Sequence, residues 1–137
     1  MDALTLTERH WTQMWRHVSA RLPEEACGLL AGVGERVTAV YPVTNELHSR
    51  VRFLMEAQEQ INAFIDIERR GWDILAIYHS HPTGPDRPSP TDLAEFAYPG
   101  CIYLIWSYQP GAGPPWICKA YTIEGQTVME VEIKLSA

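Results

Sequence analysis

Hydrophobic and polar positions along this chain follow two periods, and the changes between them predict its elements. Leu4 and Leu6, two apart, read as a short opening strand. Thr7 then suits an N-cap. Trp11, Met14, Trp15, Val18 and Leu22 recur at helical spacing, which predicts a helix to about Arg21, ended by Pro23. Residues 25–33 read as a strand, Gly34-Glu35 as a tight turn and residues 36–43 as the return strand. Residues 44–54 carry no period apart from a brief strand expected at 51–53. Residues 55–70 predict the clearest helix, with Ile61, Phe64, Ile65 and Glu68 tracing its period and Gly71 at its C-terminal stop. A buried strand is expected over 73–79, a proline-rich loop over 82–90 and a helix from Pro90 to about Tyr98. Strands over 101–108, 116–123 and 127–135 close the chain, with a surface loop at 109–115 between the first two. The expected fold class is α/β, a largely antiparallel or mixed β-sheet flanked by helices.

Composition narrows the function classes. The 137 residues, 46% of them hydrophobic, suit one domain spanning 1–137 with a single core. A formal charge of −6 with scattered Lys and Arg offers no nucleic-acid patch. No apolar stretch is long enough to span a bilayer, and Glu8, Arg9 and His10 interrupt any signal-peptide core. Cys27, Cys101 and Cys118 are odd in number and widely spaced, which fits a reducing, cytoplasmic setting better than a disulfide framework.

The candidate chemistry sits where the 73–79 strand ends. His79-Ser80-His81-Pro82 places two imidazoles on one side of an extended chain, about 6.7 Å apart along it. Beyond the loop, Ser89-Pro90-Thr91-Asp92 brings a carboxylate. Two His and one carboxylate make a catalytic zinc set, with the fourth tetrahedral position left for water. Ser-x-x-Asp with Pro at the first helical position is also a capping box, and the two roles are compatible. Glu24 and Glu25 stand side by side upstream, and nothing in the local pattern chooses between them. Cys27 reads as a buried structural thiol, and His10, His17 and His48 as surface or helix histidines. The five tryptophans read as core and sheet packing.

Taken together, His79, His81, Ser89 and Asp92 match His-x-His, seven residues, Ser, two residues, Asp. With Glu25-Ala26-Cys27-Gly28-Leu29-Leu30-Ala31-Gly32 upstream, the chain resembles the JAMM (MPN+) zinc metalloprotease family over roughly residues 22–107. That resemblance implies the MPN, cytidine-deaminase-like fold and Zn2+ held by His79, His81 and Asp92. It selects Glu25 over Glu24 as the general base and gives Ser89 a part in stabilising the oxyanion. It also implies hydrolysis of a peptide or isopeptide bond at the C-terminal Gly-Gly tail of a ubiquitin-like or sulfur-carrier protein, with no nucleic-acid or membrane partner. Self-association as a homodimer is left open. The alternatives are a RadC-like MPN protein and a non-catalytic MPN scaffold. A nucleoside deaminase is set aside because its His-x-Glu and Pro-Cys-x-x-Cys elements are absent.

Overall fold

The computed structural model describes residues 2–111 and 113–137. Met1 and Ala112, the latter within the expected 109–115 loop, lie outside the described residues. The elements in chain order are β1 (Ala3–Thr7), α1 (Glu8–Ala20), β2 (Cys27–Val33), β3 (Arg36–Val43), α2 (Ala57–Arg69), β4 (Asp73–His81), α3 (Pro90–Glu95), β5 (Ile102–Tyr108), β6 (Trp116–Glu124) and β7 (Thr127–Ser136). The strands close into a barrel in the order β1-β3-β2-β4-β5-β6-β7. Three pairings are parallel: β1 with β3, β1 with β7, and β4 with β5. The other four are antiparallel. The sheet is therefore mixed, and the pairing of β1 with β7 brings the two ends of the barrel together.

Apolar side chains leave the strands toward two cores. One contains Leu4, Leu30, Tyr78, Leu104 and Trp106, with Met14 and Val18 of α1 packed on it. The other contains Cys27, Leu29, Ile77, Tyr103 and Ile105, with Ala63 of α2 in it and Phe64 packed against it. Near its C-terminal end β4 alternates between them: Ile77 faces the second core and Tyr78 the first. His79 continues the Ile77 side, stacked on Phe53 and tilted against Tyr103, ring centroids 4.7 and 4.9 Å away. Tyr78, on the other side, bonds His17 of α1 through its hydroxyl at 2.7 Å, and burial pushes that imidazole down to about 4.

Several elements differ from the sequence expectation. Trp15 is 41% exposed; the stripe of α1 that packs is Met14 and Val18, flanked by Trp11 and Leu22. In α2 the exposed side chains are Ile61 and Ile65, while Ala63 and Ile67 are buried. Both pairs are four apart, so each forms a stripe on one helix, and the stripe with the small Ala63 is the one laid on the sheet. Residues 51–53 form no strand; the segment has a single bridge, Asn45 to Met55. Helix α3 stops at Glu95 because Phe96 turns extended. Glu25 precedes β2 instead of opening it. Among the described residues, no helix is long and apolar enough to cross a membrane.

Candidate metal centre and catalytic cleft

His79 and His81 are fixed from both sides of their strand. His79 pairs with Cys27 of β2 and Ile105 of β5, and His81 with Ser107 of β5. The two-residue period aims both rings the same way, and their Nε2 atoms lie 2.9 Å apart. Asp92 arrives from the first turn of α3. Its Oδ2 is 3.0 Å from His81 Nε2 and 3.3 Å from His79 Nε2. The capping box is present as well: Ser89 N–H donates to the same Oδ2 at 2.8 Å, and Ser89 Oγ accepts from Asp92 N–H at 3.0 Å. Capping and convergence on the histidines are thus one arrangement, since the cap holds the carboxylate in place.

These donors fit a zinc ion. With bonds of about 2.0–2.1 Å, tetrahedral ligand atoms stand about 3.3–3.4 Å apart, close to the 2.9, 3.0 and 3.3 Å triangle here. The tautomer agrees. His81 Nδ1 lies 2.7 Å from the Pro85 carbonyl, an acceptor only, so the nitrogen carries a proton and neutral His81 turns a bare Nε2 lone pair toward Asp92. A cation between that lone pair and the carboxylate, a proton or a metal ion, satisfies both. His79 Nδ1 is buried with no hydrogen-bond partner among the described residues.

The proline loop is pinned as well as stiffened. Besides Pro85 on His81, the Gly84 carbonyl accepts from Ser107 Oγ at 2.8 Å, and the Asp86 carbonyl accepts from the Tyr121 hydroxyl. The charges respond to this packing. Burial opposes ionisation of Asp92, yet the two imidazoles hold its carboxyl far below the usual range. Burial also takes His79 below the ordinary imidazole value. At His81 burial acts in the same direction, but Asp92 and the Pro85 carbonyl outweigh it and leave that ring above.

The structure treats the two neighbouring glutamates differently. Glu24 lies at the surface on His48 (3.0 Å) and Arg21 (3.5 Å). Glu25 is 3% exposed, and its Oε1 has no partner among the described residues. Burial pushes its carboxyl up to about 8, with His81 opposing and Asp92 adding to the shift. Its backbone is held on both sides: its N–H donates to Ser49 O at 2.8 Å and its carbonyl accepts from Asn45 Nδ2 at 3.0 Å. Ser80, between the two histidines, clamps the next residue, accepting from Ala26 N–H through Oγ at 2.8 Å and donating its backbone N–H to Ala26 O at 3.0 Å.

Glu25, His81 and Ser89 line one pocket of about 140 Å³, whose rim includes Arg50 and Val51. Asp92 also lines a larger apolar cavity of about 390 Å³, among Phe53, Phe64, Ile77, Phe96 and Tyr103. Asn45, Ser80, Phe53 and Arg50 escaped the sequence reading. Only Ser80 had a local signal, its place inside His-x-His. Cys27 donates its thiol to Val43 O at 3.5 Å, and burial pushes it up to about 12, the behaviour of an inert structural thiol. His10 closes the capping box of α1 with Thr7, and His48 sits on Glu24.

The profile of the family described as prokaryotic homologs of the JAB domain matches residues 7–123. The chain belongs to this family. It is 40% identical over 88 residues to the desampylase of Haloferax volcanii, a match covering 62% of this chain and 63% of that protein. It is 30% identical over 125 residues to the desampylase of Pyrococcus furiosus, covering 91% and 86%. To the CysO-cysteine peptidase of Mycobacterium tuberculosis it is 31% identical over 96 residues, covering 69% and 66%. The matched stretch thus spans just under two thirds of the Haloferax and Mycobacterium relatives. Among solved structures, a Desulfitobacterium hafniense protein superposes with a TM-score of 0.85 at 38% identity, covering 97% of this chain and 92% of that one. The structure reported as JAMM, a metalloprotease-like zinc site in the proteasome and signalosome, superposes at 0.61 with 21% identity, covering 98% and 99%, and shows a shared fold.

Proposed function

We propose that this chain is a zinc-dependent hydrolase that cuts a peptide or isopeptide bond at the C-terminal Gly-Gly tail of a ubiquitin-like or sulfur-carrier protein. The observation that carries the reading is the convergence of His79, His81 and Asp92 within 3.3 Å of one another, beside a buried carboxyl with an unpartnered oxygen. Relatives named desampylase and CysO-cysteine peptidase support the substrate class. Residues 1–137 act as one domain on this reading, supported by β1 closing on β7. The three unpaired cysteines suit a cytoplasmic setting.

His79, His81 and Asp92 would hold the zinc, which when bound supplies a Lewis acid and lowers the pKa of a coordinated water. Glu25 takes a proton from the attacking water and returns it to the departing nitrogen. Burial raises the proton affinity of this carboxyl, which favours its holding the proton it takes from water until the nitrogen departs. Ser89 Oγ spends an acceptor site on Asp92 N–H and keeps its own proton to donate toward the developing oxyanion. Asn45, Ser49 and Ser80 hold the Glu25 segment against the strand that carries the histidines.

The test offers zinc-loaded protein a sulfur carrier extended by cysteine, a ubiquitin-like fusion and ubiquitin dimers, with Glu25→Gln as blank. Cleavage of either of the first two after Gly-Gly, with dimers cut poorly, is expected. Remote contacts with a folded carrier hold its tail in a reactive geometry that unrelated short peptides lack. Generic peptides cut at equal rate would overturn the substrate assignment.

A further inference from the structure

The pocket that contains Glu25 has a guanidinium at its rim that hydrolysis itself does not use. Arg50 lines the same space as Glu25, His81 and Ser89. The protein is acidic overall, with a formal charge of −6. Nearby cations are engaged: Arg52 on Glu95 at 2.8 and 3.1 Å, and Arg21 on Glu24 at 3.5 Å. Arg50 makes no ion pair among the described residues.

Its side chain is exposed, but its backbone is not loose. Ser49, just before it, accepts the Glu25 N–H through its carbonyl at 2.8 Å. The carbonyl of Arg52, two residues after, accepts from Asn45 Nδ2 at 3.1 Å, and the same amide group donates to Glu25 O at 3.0 Å. Asn45 Oδ1 accepts from Leu47 N–H and Leu54 N–H, each at 3.1 Å, so this buried side chain uses all four of its bonding sites. Arg50 is thereby bracketed by bonds that run to both sides of the Glu25 peptide. The backbone that carries this cation is therefore anchored beside the group that protonates the leaving nitrogen.

The size of the pocket says what such a cation faces. At about 140 Å³ it lies well below the roughly 300–1,000 Å³ of sites for drug-sized ligands. It suits a single small residue on the leaving side of the scissile amide. A residue at the very end of a chain has its α-carboxylate one carbon from the departing nitrogen, and the guanidinium fork matches a carboxylate. A lysine side chain in an isopeptide bond brings no anion to that position.

We propose that Arg50 binds the free α-carboxylate of a single residue following the scissile bond, which makes the preferred substrate a carrier protein extended by one C-terminal residue. This rests on the hydrolase reading above. Water oxygen adds to the carbonyl carbon, the carbon–nitrogen bond breaks, and the nitrogen takes its proton from Glu25. The products are the trimmed carrier carboxylate and a free amino acid.

The test uses one Gly-Gly carrier in three forms: extended by one residue with a free carboxylate, extended by the same residue as its amide, and joined to a lysine side chain of a short peptide. The free acid should be cut with kcat/KM at least tenfold above the other two. Arg50→Gln should lower the acid about tenfold, to the level of the amide, with zinc content kept, and Arg50→Lys should retain part of the preference. In the Glu25→Gln background the acid form should also bind about tenfold more tightly than the amide, a readout independent of turnover. Equal cleavage of acid and amide, or the isopeptide cut best, overturns the proposal and leaves the hydrolase standing. So does an Arg50→Gln that lowers all three forms alike. None of the three cut by zinc-loaded protein overturns both.

Discussion

Two segments wall the same cleft, and they are held by different means. The donor-bearing stretches 79–81 and 89–92 are held by repetitive structure: β4 lies between β2 and β5, and a capping box opens α3 at Asp92. Residues 44–56 have one isolated bridge and are held by the side chain of Asn45 and by the Glu25 to Ser49 backbone bond. In the first wall the direction of each side chain follows from the strand period and the cap, so spacing alone states the chemistry. In the second it follows from bonds such as those of Asn45 and Ser49 to Glu25, between residues 20 or more apart in sequence, which no local pattern encodes. The first wall offers the ion its donors, and the second positions the base and whatever approaches it.

The comparison breaks most plainly at the metal donors. His81→Ala or Asp92→Ala should take zinc from about one per chain to near none by metal analysis, because each removes one of three protein ligands. Stoichiometric zinc in both variants would place the site elsewhere. Next in size is Glu25→Gln, which keeps the side-chain shape but cannot accept a proton. Turnover should fall by about 10²–10⁴ with zinc retained, while Glu24→Gln, altering a surface group on His48, changes little. The opposite pattern would exchange the roles of the two glutamates.

That pair also marks how far the sequence could be read. The His-x-His and Ser-x-x-Asp spacings were legible because a two-residue strand period and a helix cap each dictate geometry within a few residues. Glu24 and Glu25 were not separable from their neighbours alone; burial separates them, and burial depends on Ser49, Asn45 and Ser80 arriving from elsewhere. The same limit applies to α2, where two stripes with members four residues apart compete and only packing decides that Ala63 and Ile67 are the buried pair. The barrel closure by β1 on β7 joins residues about 130 apart and has no local signature.

Within the first wall, Ser89→Ala separates capping from chemistry. Loss of the cap should cost about 1 kcal/mol of stability in denaturant melts. Zinc should stay, because the Ser89 backbone N–H, not its hydroxyl, holds Asp92 Oδ2. A fall in kcat of about 10², on the scale of a lost oxyanion donor, is expected beyond the stability effect. Unchanged kcat would reduce Ser89 to a cap.

The second wall should fail in a different way, and Asn45→Ala tests it. The substitution strands two carbonyls, of Glu25 and Arg52, and two N–H groups, of Leu47 and Leu54. Asn45 is 4% exposed, so water replaces those bonds poorly, and a loss of about 1–3 kcal/mol is expected as a lower denaturant midpoint with unchanged slope. Zinc should remain near one per chain, since no donor has moved, while kcat falls about tenfold as Glu25 loses one of its two backbone anchors. Asn45→Asp keeps the shape but sets a carboxylate against the Glu25 and Arg52 carbonyls, so it should destabilise more than the alanine. The expected signature is the reverse of Asp92→Ala: stability and turnover suffer and the metal stays. If Asn45→Ala instead released zinc, the two walls would be one cooperative unit and the distinction between them would fail.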